Sequence, residues 1–370
     1  MKTEFKSAII LGIVIVGGIA GLSVIFSTLD SPESASSNSA GSELGIQSID
    51  KSKFKKAPDL VGISGYINTT PEELQDKIKD KVVLYDIWTY SCINCIRTLP
   101  FITAWDEKYS DQGLLIIGIH SPEFEFEKDI NNVQMAVDKN GIKYPVVLDN
   151  DWETWKAFEN RYWPHKFIAD HEGYIRYDHI GEGGYDETEK IIQELLHERS
   201  TQLGLQTAEA QALVDINEFE HTSFRTPELY FGYELASGRN QFGNEEGLRP
   251  EKEVQYSIPT DLREHYFYMD GTWMNLKESM QLVSNNGAII LSYFAKEVNI
   301  VTANDAELSI FIDDEPITSK LFGDDLSPDG KLLIKEAGLY NIITTDEAES
   351  HVLKILVNNP GFEIFTFTFG

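Results

Sequence analysis

The chain has two cysteines in 370 residues, three positions apart, in Trp88-Thr89-Tyr90-Ser91-Cys92-Ile93-Asn94-Cys95. Residues at that spacing share one face of a helix, close enough for a reversible disulfide between neighbouring turns. No third thiol competes for either sulfur. A cross-link this short closes almost no loop and adds little stability, and two thiolates are half the ligand set of a structural zinc. The pair therefore reads as a redox-active dithiol. Its flanks constrain the fold around it. Residues 81–88, Lys-Val-Val-Leu-Tyr-Asp-Ile-Trp, are an apolar, β-branched run that predicts a buried strand. Residues 99–105 continue at helical spacing beyond Cys95. A strand feeding a helix puts Cys92 at the helix N-terminus, where unpaired amides and the positive dipole end favour a thiolate. Cys92 is thus the expected nucleophile and Cys95 the resolving thiol. Asp86 lies in the strand six residues earlier. Buried there, it would have a raised pKa and exchange protons with the thiols; an ordinary solvent-facing Asp at a strand end is the alternative.

An acid six residues before the first cysteine, a Trp four before it and a Pro eight after it (Asp86, Trp88, Pro100) resemble thioredoxin. More specifically, Trp-Thr-Tyr-Ser-Cys-Ile-Asn-Cys-Ile-Arg-Thr-Leu-Pro resembles the DipZ-type branch of membrane-tethered thioredoxin-like proteins, relatives of the TlpA/ResA group. Gly118-Ile119-His120-Ser121-Pro122-Glu123-Phe124-Glu125-Phe126-Glu127-Lys128 and Tyr162-Trp163-Pro164-His165-Lys166 are similar to that branch too. The resemblance covers residues 57–200; the inter-cysteine pair Ile93-Asn94 departs from thioredoxin. It implies an α/β thioredoxin-like domain with an inserted strand–helix unit, and a thiol-disulfide oxidoreductase working through Cys92, Cys95 and Asp86. Trp88, Trp163 and Pro164 are then expected at the substrate, with Pro164 in the cis form that X-Pro bonds adopt at low cost. The redox-active Cys92–Cys95 disulfide takes the place of a cofactor. Disulfide-bearing proteins are the implied substrates, and a CcdA/DsbD-like membrane protein the implied electron donor.

Around the motif, local patterns predict a helix opening at Thr70-Pro71-Glu72-Glu73, a second buried strand over 114–119, a helix over 129–139, a third strand over 144–148, a short helix over 154–161, a hairpin over 166–179 and a closing helix over 186–199. Glu123 is either a surface residue or a group tuning the proton transfers of Cys95. Arg97 either points into solvent or aids a thiolate. His120, at a strand end, offers a rival function: joined to Cys92 and Cys95 it would make a copper-handling scaffold. Thr89-x-x-Cys92 echoes a peroxidatic motif, but Tyr85 stands where that motif requires proline.

Length allows two to three domains. A net charge of −29 excludes nucleic-acid or anionic-membrane binding through a basic face. Residues 8–26 carry no charge and approach the ~20 needed to span a bilayer. With Lys2 and Lys6 before them and no good cleavage site after them, they predict an uncleaved anchor whose following domains are extracytoplasmic. The expected organisation is a cytoplasmic tip and transmembrane helix over 1–29, a Ser-rich flexible linker over 30–50, the redox domain over 51–200, a helical bridge over 201–225 and an antiparallel β-sandwich over 226–370. In that last part, short alternating strands (288–294, 308–312, 339–343, 352–357, 362–369) are separated by turn signals such as Asn286-Gly287 and Pro360-Gly361. Thr226-Pro227-Glu228-Leu229-Tyr230-Phe231-Gly232 resembles the opening of the carbohydrate-module-like, jelly-roll domain of DipZ-type proteins. Trp273, Tyr256, Tyr266 and Tyr268 there are either a sugar platform or core.

Overall fold

The structure is a computed structural model that describes residues 50–206, 211–220, 225–239 and 241–370. The anchor expected over 1–29 and all but the last residue of the linker expected over 30–50 lie outside the described residues. Among those described, no helix is long and apolar enough to cross a membrane.

The first half is built on a six-stranded sheet of order β1-β4-β3-β2-β5-β6. Its strands are β1 (Gly65–Ile67), β2 (Val82–Trp88), β3 (Leu114–His120), β4 (Val146–Leu148), β5 (His165–Ala169) and β6 (Ile175–Ile180). β2, β3 and β4 run parallel, while β1, β5 and β6 are joined antiparallel. Central strands covered on both faces read as continuous apolar runs, and β2 and β3 are buried at every position. Alternation sorts their side chains. Val83, Tyr85 and Ile87 pack with Ile117, Ile119 and Phe167 beneath helices α1 (Pro71–Lys77) and α4 (Glu153–Ala157). Leu84 and Trp88 face the other way, with Ile116 and Ile168, against α2 (Ile93–Tyr109), α3 (Ile130–Lys139) and α5 (Tyr185–Gln202). Asp86 shares the second face, so its carboxyl points towards the helix that carries the cysteines. The helix starts follow their caps: Thr70 accepts from the Glu73 N–H ahead of Pro71, and Asp129 caps α3.

Among the described residues of the bridge expected over 201–225, no separate helix forms. α5 stops at Gln202, and residues 211–220 form no helix. Residues 211–220 are held along the redox domain by side chains. Glu189 accepts from Val214 N (2.9 Å), Tyr109 Oη (2.6 Å), Lys108 Nζ (2.8 Å) and Trp105 Nε1 (3.2 Å), tying the segment to α2 and α5.

The second half is all β and antiparallel. Two strands are far longer than their sequence signals: β11 (Gly287–Ala303) and β15 (Gly338–Val357) pair from Gly287↔Val357 to Thr302↔Gly338 through two register shifts, which leave residues 345–348 of β15 unpaired. The patterns at 339–343 and 352–357 are therefore two ends of one strand. β11 and β15, together with β7 (Leu229–Tyr230), β8 (Glu253–Tyr256), β13 (Glu315–Pro316) and the remaining strands of this half, join one continuous hydrogen-bonded network and not two separate sheets. β11 pairs with β9 (Tyr266–Asn275) near its start and with β16 (Glu363–Phe369) near its end, and β10 (Met280–Leu282) links β9 to β16. One core takes side chains from all of these strands and from β12 (Ala306–Ile312) and β14 (Lys331–Ile334), so the sheet folds over on itself. Trp273, Tyr256 and Tyr268 are fully buried and Tyr266 half-buried. These aromatics form core, not a sugar platform.

The two halves meet through specific side chains. Arg97, two residues past Cys95, pairs with Glu297 of β11 at 2.5 Å and with Glu182 at 3.7 Å, and its guanidinium lies 3.5 Å from the centre of the Phe219 ring. Phe124 packs tilted and Phe126 edge-on against Phe365 of β16, at 5.1 and 4.9 Å between ring centres.

Candidate active site

Cys92 is the N-cap of α2. Its backbone is extended and its Sγ accepts the Cys95 N–H at 3.2 Å. Cys92 is partly exposed and Cys95 is 1% exposed; both are free thiols. One sulfur therefore meets solvent at a helix N-terminus while the other lies behind it. Burial pushes the Cys95 thiol up, the Cys92 sulfur adds to the rise, and so does the charge of Asp86.

Asp86 is 1% exposed. Desolvation raises its pKa to about 6, opposed by the ammonium of Lys166. Lys166 stands directly across from Asp86 in the β2–β5 register, a position whose side chains share one face of the sheet. It is fully buried, donates to Gly181 O at 3.1 Å, and burial lowers its pKa to about 8. A carboxyl, an ammonium and a thiol thus share one buried region with their ionisations drawn towards neutrality, which suits proton exchange.

Trp163-Pro164 is cis, and Pro164 is buried beside the half-buried Trp163. Trp163 Nε1 donates to Ser121 O at 3.0 Å, and Pro164 O accepts from Gly181 N at 2.8 Å. His165, the next residue, contacts Asn160 Oδ1 at 2.7 Å and Asp178 at 3.0 Å, bracing the loop from below.

Several expectations change. Trp88 is fully buried, edge-on to His120 at 5.4 Å, so it supports the site from beneath and cannot touch a substrate. Arg97 neither points into solvent nor sits on a thiolate, since Glu297, Glu182 and Phe219 hold it between the two halves. His120 is fully buried against Trp88 and Tyr90, and desolvation lowers its pKa to about 3. No group of three or more His, Cys, Asp or Glu able to hold a metal occurs among the described residues, so His120 does not join the two thiols as a ligand set.

Glu123 is no surface residue. Its Oε1 accepts from Tyr230 Oη at 2.7 Å, and the same hydroxyl lies 2.9 Å from Glu228 Oε2. One phenol proton cannot serve two carboxylates; burial raises both acids, and the charge of Glu228 adds to the rise at Glu123. Such groups bind protons more tightly folded than unfolded, so their contribution to stability is complete below the ordinary Glu range and is lost as pH rises through their raised folded values. Glu228→Gln should flatten that loss. Urea unfolding at pH 5 and pH 8 should show a smaller decline for the variant than for the parent chain; equal declines would contradict it.

Sequence reasoning missed Lys166, Glu127 and Glu228. Lys166 matters only through its register with Asp86, eighty residues earlier. Glu127 sits in the alternating acids Glu123, Glu125, Glu127, a pattern indistinguishable in sequence from a solvated edge.

Two sequence families match the chain: Redoxin over residues 54–196 and Thioredoxin like C-terminal domain over residues 226–370. Protein DipZ of Mycobacterium bovis is 33% identical over 316 residues, covering 85% of this chain and 43% of that protein. The chain therefore spans less than half the length of that relative. Thiol-disulfide oxidoreductase YkuV of Bacillus subtilis is 30% identical over 143 residues, 38% of this chain and 94% of that protein. Thiol-disulfide oxidoreductase ResA of Halalkalibacterium halodurans is 27% identical over 120 residues, 32% of this chain and 63% of that protein.

Proposed function

The chain belongs to the thioredoxin-like thiol-disulfide oxidoreductases, and on that premise we propose that it is a membrane-tethered reductase of protein disulfides outside the cytoplasm. The observation that carries the reading is the placement of the thiols: Cys92 part-exposed at the cap of α2, Cys95 buried behind it with its N–H on the Cys92 sulfur. The Cys92 thiolate attacks one sulfur of a substrate disulfide, forming a mixed disulfide and releasing the other sulfur as a thiolate that takes up a proton. Cys95 gives its proton to Asp86 and attacks the Cys92 sulfur. The second substrate sulfur leaves and is protonated, and Cys92–Cys95 closes as a disulfide. Two electrons and two protons pass to the substrate. Pro164 and Trp163 seat the substrate chain beside Cys92.

Recharging needs two electrons from outside, which a CcdA/DsbD-like carrier in the membrane would supply. The uncharged run 8–26 supports the tether, and the polar residues after it give the domain reach towards such a carrier. The test uses the full chain. It should speed insulin reduction by dithiothreitol and stay with membranes through carbonate extraction. An insulin rate no higher than dithiothreitol alone would overturn the reductase reading. Full extraction by carbonate would overturn the tether.

A further inference from the structure

We propose that Glu127 is a positioning residue for the redox reaction: its buried carboxylate clamps the turn that delivers Cys92 to the helix cap and fastens that turn to the surface on which the all-β region sits. The inference rests on the dithiol reading above.

Glu127 is fully buried, and no lysine, arginine or histidine forms an ion pair with it among the described residues. Removing a lone carboxylate from water costs several kcal/mol, so its presence there needs compensation. Five hydrogen-bond donors supply it. Oε1 accepts from Thr89 Oγ1 at 2.6 Å, Ser91 Oγ at 2.5 Å and Ser91 N at 3.3 Å. Oε2 accepts from Glu123 N at 2.5 Å and Phe124 N at 2.9 Å.

These donors come from two separate segments. Thr89 to Cys92 is a turn closed by Cys92 N donating to Thr89 O at 3.4 Å. Glu127 grips its first and third residues, and its fourth is the nucleophile. His120 extends the clamp, because its Nε2 lies 3.4 Å from Thr89 Oγ1. With the threonine proton committed to Glu127, Nε2 must be the donor there, which leaves Nδ1 as the unprotonated nitrogen of a neutral ring. The second segment carries the interface: Glu123 reaches Tyr230 at 2.7 Å and Phe124 packs tilted against Phe365 at 5.1 Å. A glutamine could not replace this set, since an amide accepts with one oxygen only.

What the clamp controls is the Cys95 N–H to Cys92 Sγ contact at 3.2 Å. That bond is strongest when the sulfur is a thiolate, because a hydrogen bond to a charged group is stronger than one to a neutral group. Loosening the turn should weaken it in the reduced protein and leave the disulfide form, whose sulfur is a poor acceptor, little affected. The relevant equilibrium balances as reduced dithiol plus glutathione disulfide giving protein disulfide plus two glutathione.

The test equilibrates full-length protein in glutathione redox buffers and quantifies free thiols by alkylation. Glu127→Ala should move the equilibrium about tenfold towards the oxidised protein, roughly 30 mV more reducing. Ser91→Ala keeps the carboxylate and removes one hydroxyl donor, so it should move the equilibrium the same way by a smaller factor. If Glu127→Ala does not fold, Ser91→Ala decides alone. An equilibrium within twofold of the parent in the folded variants would overturn the proposal, as would a shift towards the reduced protein, which would mean that the carboxylate acts only as a charge. Parent protein that never exchanges with glutathione would instead overturn the dithiol reading.

Discussion

Replacing Cys95 with serine should leave a protein that attacks disulfides and cannot let go of them. Cys92 occupies the helix cap with its sulfur part-exposed, whereas Cys95 is sealed behind it, so attack belongs to the first thiol and release to the second. Cys95→Ser should accumulate mixed disulfides through Cys92, visible as partner-linked bands on non-reducing gels and as a peptide joined at Cys92 by mass spectrometry. Cys92→Ser should lose turnover altogether, a drop of several orders of magnitude, because the remaining thiol is buried and burial raises its pKa. Trapped species linked through Cys95 in the Cys92→Ser protein would reverse the assigned roles.

Asp86→Asn should make the protein more stable and less active at the same time. Burial raises the Asp86 carboxyl to about 6 from an ordinary 3.8. The folded state thus holds this proton more tightly than the unfolded state, so its contribution to stability is full below about pH 4 and is lost as pH rises through about 6. At about 1.4 kcal/mol per pH unit, the ionised carboxylate costs on the order of 3 kcal/mol at pH 8. The amide removes that cost. That cost is already net of the opposing Lys166 ammonium across the strand pair. Urea unfolding should therefore show the variant about 3 kcal/mol more stable than the parent at pH 8, with the difference vanishing near pH 4. Resolution of the mixed disulfide should slow by the ~10²–10⁴-fold typical of a lost general base, while the first attack by Cys92 persists. A variant with unchanged stability between pH 4 and pH 8 would contradict the burial argument, and unchanged resolution kinetics would contradict the proton relay.

The redox half was legible in sequence because its determinants are local. The run ending at Trp88, the dithiol and the helical spacing beyond Cys95 lie within about twenty-five residues, and Thr70 and Asp129 announce their helices by cap chemistry. Asp86 was legible too, since alternation along a buried strand fixes its face. Its partner was not. Lys166 meets Asp86 only through an antiparallel register between distant strands. The all-β half shows the same boundary. Turn residues marked its strand ends at Asn286-Gly287 and Pro360-Gly361, but the segments at 339–343 and 352–357 are one strand, β15, because β11 pairs on both sides of a bulge at residues 345–348. Trp88 misled for a related reason: its closeness to Cys92 in sequence implied closeness to the substrate, whereas the last residue of a central strand lies under the site. Arg97 and Glu123 were visible as charges, but their partners Glu297 and Tyr230 come from the other half of the chain.

The central claim is that Cys92 and Cys95 form one reversible two-electron couple poised to reduce. Redox titration of the full chain, with peptide mapping of the oxidised form, tests it most directly. The account predicts a single transition with a two-electron slope of about 30 mV per decade, a midpoint near the roughly −270 mV of thioredoxin, and a mapped Cys92–Cys95 disulfide. A midpoint near roughly −120 mV would make the protein an oxidant. Glutathione fixed on Cys92 with Cys95 still free would contradict the couple itself.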